Sequence, residues 1–182
     1  MKNTLIILLL IINSYLLSES LIISSWVSPE TILDFIVVNS IPKEFQETLI
    51  KETMEFPELR VWIVSIGYVE SNWKYMESLQ PNRNGSIDVG PLGLNINNLN
   101  NDYFIYKYGR EDDYLIKDKN NYYMALSIRY FIHWYKIYGT DAIFIYNAGP
   151  GRYLNNNLPQ STIEYEKKVR NYYINFKIRS LK

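Results

Sequence analysis

The chain reads as a mainly helical domain with one small irregular lobe, and three features of the sequence predict this. Apolar residues recur at intervals of three and four over several separate stretches. One long segment, "KYMESLQPNRNGSIDVGPLGLNINNLNNDYF", is instead rich in Asn, Gly, Ser and Pro and lacks that period. No alternation of apolar and polar residues runs far enough for a major sheet, and there is no internal repeat.

Taken in order, residues 1 to 20 combine Lys2, an apolar run from Leu5 to Ile12 and a small-x-small pattern at Ser18 and Ser20. This is the pattern of a secretory signal, with an uncleaved N-terminal anchor as the alternative. Both readings place the protein outside the cytoplasm, in the periplasm or cell envelope. Residues 21 to 182 are read as one domain, since 182 residues with 47% hydrophobic content suffice for one sizeable core.

Ser28, Pro29 and Glu30 supply a helix start, followed by the apolar "TILDFIVVNS". From Pro42 an amphipathic helix follows, with Phe45, Leu49, Ile50 and Met54 as its apolar residues. Pro57 closes it and opens the next helix, in which Leu59, Ile63, Ile66 and Glu70 share one face. Val61, Trp62, Val64 and Val69 widen the apolar surface until no polar face remains, the mark of an enclosed helix. Glu70 is then either a surface residue at a frayed end or a carboxyl held partly dry.

The irregular lobe offers turns at Asn84-Gly85 and Gly90-Pro91 and room for a short hairpin. A loop of that length inside a domain is uncommon unless it carries function. "NNYYMALSIRYFIHWYKIYG" is a strong helix, with Met124, Ile128, Phe131, Ile132 and Tyr135 on one stripe and Gly139 as its stop. Thr140 and Asp141 are read as the cap of a short helix through "AIFIYNAG". Ser161 and Glu164, in capping-box spacing, open a final helix whose apolar face is Tyr165, Val169, Tyr172 and Phe176. The sum is five or six helices around the lobe.

Composition narrows the chemistry. Nineteen basic residues balance nineteen acidic ones, so no global field points to nucleic acid or to an anionic membrane. The basic C-terminal stretch reads as a solvated helix face. With no cysteine there is neither a disulfide nor a thiolate metal site, and the lone histidine, His133, lies in an aromatic helix and reads as a packed residue. No metal or cofactor is expected. Chemistry has to rest on carboxylates, amides and hydroxyls.

Four stretches concentrate such groups: "YVESNW" (68 to 73), "DVGPLGLNIN" (88 to 97), "IYNAGPG" (145 to 151) and "STIEY" (161 to 165). In order and spacing they resemble the soluble lytic transglycosylase domain of the lysozyme-like superfamily, over roughly residues 57 to 176. The resemblance implies a goose-type, lysozyme-like helical fold. It also implies cleavage of the β-1,4 bond between N-acetylmuramic acid and N-acetylglucosamine in peptidoglycan, with glycan strands as partner and no cofactor.

By the same resemblance Glu70 is the sole catalytic acid and base, and Ser71 follows it at the helix end. The substrate's own N-acetyl group attacks the anomeric carbon, and a 1,6-anhydro-muramyl end forms without water. A carboxyl on an apolar face has the raised pKa that a general acid needs. Asp88 is the candidate second carboxylate that many glycosidases use, although in "SIDVG" it reads better as the organiser of its turn.

Ser71, Asn95, Tyr146, Asn147 and Tyr165 are carried over as substrate-binding, with Thr162 beside the last. Gly149 and Gly151 suit a tight turn near the sugar. The chain departs from the family at Gly93, where a glutamine is usual; its loss is expected to leave a hole for water, Asn95 or Asn97 to fill. Trp73, Tyr68 and Tyr75 are aromatic candidates for stacking on sugar faces. Two alternatives remain: a hydrolytic lysozyme using a water held opposite Glu70, and a non-catalytic peptidoglycan-binding or scaffold protein weakened at Gly93.

Overall fold

The structure is a computed structural model that describes residues 28–74 and 85–181. The proposed signal at residues 1 to 20 and Tyr75 lie outside the described residues. Helix α1 spans Pro29–Asn39, where the Ser28 hydroxyl accepts from the Thr31 amide at 3.2 Å and proline takes the first turn. Helix α2 spans Lys43–Glu52. A 3-10 turn at Pro57–Leu59 leads into α3, Arg60–Glu70, in which every residue from Val61 to Gly67 is buried. The hairpin of β1 (Asp88–Val89) and β2 (Leu94–Asn95) is antiparallel, pairing Asp88 with Asn95 and Val89 with Leu94.

Short helices α4 (Ile96–Leu99) and α5 (Asp102–Tyr108) follow, then α6 (Lys119–Tyr138), α7 (Ala142–Ala148), α8 (Pro150–Leu154) and α9 (Gln160–Arg179). The described residues are therefore mainly helical with one small sheet. None of their helices is long and apolar enough to cross a membrane.

Helix α3 packs against α1 and α9, which also touch each other, while α6 packs on α2 and α7. Trp62 of α3 stacks on Tyr173 of α9 with ring centroids 3.8 Å apart. A second, smaller core of Val89, Leu94, Phe104, Tyr108 and Leu126 lies under the hairpin and α5.

Several boundaries differ from the sequence reading, each for a local reason. Helix α4 lies inside the stretch read as irregular and α5 begins at its end; Asn101 starts α5 by accepting from the amides of Tyr103 and Phe104. Helix α9 begins at Gln160 after Pro159, so Ser161 falls inside the first turn and no capping box forms. Asp141 makes no cap bond to α7 and instead accepts from the Tyr153 hydroxyl at 2.6 Å. On α2, Phe45 and Leu49 are buried, but Met54 is 71% exposed; the residue that completes the buried side is Glu52.

Glu52 is buried because Arg129 meets it. The Arg129 guanidinium donates twice to Glu52 (2.7 and 2.8 Å), twice to Asp113 (both 2.8 Å) and once to the Tyr108 carbonyl (3.0 Å). All five of its donors are used. Such a fork ties α6 to α2 and to the turn at Glu111–Leu115, and removing one partner strands a buried charge. Glu52→Gln is therefore expected to cost about 3–5 kcal/mol, read as a lowered urea midpoint. A loss under about 1 kcal/mol would mean that Asp113 alone balances the guanidinium.

Candidate active site

Glu70 is the last residue of α3, and the chain turns sharply after it. Asn72 and Trp73 both take positive φ, +54° and +56°, and the amides of Ser71 and Trp73 both reach back to the Gly67 carbonyl (3.1 and 3.3 Å). Asparagine tolerates this region; tryptophan does so at a cost of about 1–2 kcal/mol. Burial holds Trp73 there. Its ring is 4% exposed, donates to the Val64 carbonyl at 3.1 Å and lies where a Cβ on Gly67 would be, 2.4 Å from the nearest ring atom. Trp73 is thus a core residue that locks the end of α3, and the stacking role expected of it is corrected. Tyr68 likewise donates to the Ser40 carbonyl and stacks on Tyr172.

The turn between β1 and β2 lies directly on the Glu70 side chain. Ser71 donates to the Pro91 carbonyl at 2.7 Å, and Tyr146 of α7 donates to the Leu92 carbonyl at 2.6 Å. With two successive carbonyls tied down, Gly93 sits at φ +63°, and a Cβ on it would fall 2.5 Å from Oε2 of Glu70. The expected hole at this position is absent: the Glu70 carboxyl itself fills the space beside Gly93. Ser71 is 9% exposed and its hydroxyl is committed to this turn, so it is a positioning residue rather than a ligand for sugar.

Glu70 is part-buried at the floor of a cavity of about 660 Å³. Its carboxyl is pushed up from an ordinary carboxylate value to about 7, chiefly because burial strips water from the charged form. The Tyr165 hydroxyl opposes this by favouring the carboxylate, and the charge of Asp88 adds to the rise. Tyr165 is buried on α9, within electrostatic reach of Glu70; its hydroxyl makes no hydrogen bond of regular geometry among the described residues. Burial, then the Glu70 charge, pushes both the Tyr165 and the Tyr146 hydroxyls well above their usual range. They remain neutral donors at any physiological pH.

Around the cavity, the structure brings together Glu70, Asp88, Gly93, Asn95, Tyr146 and Asn147 from three separated segments. Asn147 is exposed and lines the cavity; its carbonyl oxygen accepts from Thr162 at 2.7 Å, which leaves its NH₂ with no partner among the described residues. Thr162 is buried and acts through Asn147. Asn95 donates to Ser86 (2.7 Å) and to Asp88 (3.0 Å) while its oxygen accepts from the Asn97 amide (3.1 Å). Both its ends are used within the hairpin. Asp88 is consequently held in its turn and also lines the cavity, so the two readings of it coexist.

The sequence reading did not single out Asn98, Tyr130 or Arg152, which also line this cavity. Arg152 directly follows "NAGPG", a cue that adjacency to the motif offered; Tyr130 is placed only by the packing of α6 on α7. A separate cavity of about 560 Å³ near His133 is lined by cations that already have partners: Lys51 with Asp112, Arg110 with Glu52, and Lys136 over the Phe56 ring. It gathers no comparable titratable group. His133 itself packs edge-on to Tyr108 and Trp134.

Comparison with protein-family models, curated proteins and solved structures finds no match to this chain.

The strained protonation of Glu70 has a measurable signature. Below its unfolded value of 4.5 the group is protonated in both states; between 4.5 and about 7 the unfolded chain ionises first, and stability falls. The loss reaches up to about 3 kcal/mol above pH 7. Glu70→Gln is expected to remove it, so that the variant melts above the parent at pH 8 and with it at pH 4.5. Equal melting of the two at both values would place the carboxyl in water. Gly93→Ala is expected to destabilise by about 1–2 kcal/mol from its positive φ alone, and to change the Glu70 titration seen by NMR as the carboxyl is displaced. An unchanged titration would show that the turn and the acid are independent.

Proposed function

We propose that the chain is a peptidoglycan lytic transglycosylase of lysozyme-like fold, exported to the cell envelope and acting on glycan strands. The observation that carries the reading is Glu70: a carboxyl lining an open cavity, with its pKa raised to about 7, within electrostatic reach of two neutral tyrosine hydroxyls and sharing the cavity with Asn147. A group with a pKa near the working pH can serve both as acid and as base. Glu70 protonates the glycosidic oxygen as the bond to the anomeric carbon breaks, and the substrate's N-acetyl oxygen attacks that carbon. The Glu70 carboxylate then takes the proton of the 6-hydroxyl, whose oxygen closes the 1,6-anhydro ring and releases the N-acetyl group. No second acid is required.

One observation favours a second reading, hydrolysis by a lysozyme-type mechanism: Asp88 lines the same cavity and its charge reaches Glu70. In that case Asp88 steers a water, and the product carries a reducing end. The third reading, a non-catalytic glycan-binding or scaffold protein, rests on the missing glutamine at Gly93; the Glu70 carboxyl packed beside Gly93 supports the catalytic readings over it.

Mass spectrometry of soluble fragments released from purified peptidoglycan separates these readings. Anhydro-muropeptides are expected, with turnover falling by about 10²- to 10⁴-fold or more in Glu70→Gln and changing little in Asp88→Asn. Reducing ends that disappear in Asp88→Asn would establish the hydrolase. Release of nothing by the parent chain would sink both.

A further inference from the structure

Arg152 stands in the cavity without an assigned role. Its guanidinium is exposed and makes no ion pair or hydrogen bond among the described residues, and it is the one cation among the described residues that line the Glu70 cavity. Its root is nonetheless fixed. Pro150 begins α8, the Asn155 amide donates to the Gly151 carbonyl at 2.8 Å, the Asn157 N–H donates to the Arg152 carbonyl at 2.9 Å, and Tyr153 is tied to Asp141. A rigid base under an unpartnered planar cation is an arrangement suited to docking a planar anion.

The other charges in the cavity sharpen the point. Asp88 brings a negative charge to the cavity and Glu70 adds a second once it ionises above about pH 7, so neither attracts a negatively charged ligand. Neutral N-acetyl sugars need only the amides and hydroxyls already there. A guanidinium at the same mouth serves a ligand that is a sugar chain and carries carboxylates as well. Resting on the peptidoglycan reading above, we infer that Arg152 is a specificity determinant that binds a carboxylate on the peptide attached to the glycan, making the cleft selective for peptide-bearing strands over neutral N-acetylglucosamine polymers.

The inference is tested by binding, so that turnover plays no part. Soluble peptidoglycan fragments retaining their peptides, and the same fragments with carboxyls converted to primary amides, are titrated calorimetrically into the Glu70→Gln chain with and without Arg152→Gln. Arg152→Gln is expected to weaken binding of the native fragments about ten- to hundredfold and to leave binding of the amidated fragments unchanged. Arg152→Lys, a point charge without the fork, should recover only part of the loss. An equal effect of Arg152→Gln on both ligands, or no effect on either, overturns the role of Arg152 while leaving the peptidoglycan reading in place. Failure of Glu70→Gln to bind either ligand overturns the peptidoglycan reading and this inference together.

Discussion

Everything distinctive about the site depends on one close approach, the backbone of Gly93 against the carboxyl of Glu70. No side chain longer than hydrogen fits there, since a Cβ would come within 2.5 Å of Oε2. The approach is enforced from both sides: Ser71, immediately after Glu70, holds the Pro91 carbonyl, and Tyr146 on α7 holds the next one. The turn, the helix end and α7 are therefore a single mechanical unit. Moving any one of them changes the water around the carboxyl, and it is the lack of water that sets its pKa.

That unit is anchored in turn by α3. A helix buried from Val61 to Gly67 and packed against α1 and α9 is held against rotation, and Trp73 closes it by placing its ring against Gly67. The positive φ at Trp73 is an unfavourable conformation held by burial of a large ring. Farther away, the Arg129 fork to Glu52 and Asp113 fixes α6, which carries Tyr130 into the cavity. Among the described residues, buried ionisable groups find opposite solutions. Arg129 is fully paired, whereas Glu70 responds by holding its proton.

The helices of ten residues or more were legible because burial on one face writes a period into the sequence: Met124, Ile128, Phe131 and Ile132 are buried as their spacing predicted. Glu70 was legible for the same reason, as the polar residue that broke an apolar pattern. What escaped was everything set by contacts between segments. The pairing of Glu52 with Arg129 spans 77 positions and leaves no local trace. Helix α5 is short and Asn-rich at its start, so its period is lost among turn signals. Trp73 looked like a ligand for sugars because nothing in "ESNW" announces that the chain doubles back; and Gly93 looked like a loss because its meaning lies in the distance to a residue 23 positions earlier.

A carboxyl that serves as both acid and base, the role proposed for Glu70, is subject to contradictory demands. Donating a proton favours a high pKa and recovering one favours a low pKa, so the product of the two is greatest when the pKa lies close to the working pH. In this chain burial overshoots the ordinary carboxylate value, and the Tyr165 hydroxyl, which favours the charged form, pulls it back. Burial and the charge of Asp88 raise the value, the Tyr165 hydroxyl lowers it, and the balance falls near 7. The same burial makes the folded state less stable once the acid ionises, so the site works against the fold that holds it. Glycine at position 93 is where the two requirements meet: it lets the turn come close enough to dehydrate the carboxyl, and its absent Cβ leaves the carboxyl room to remain at the floor of the cavity.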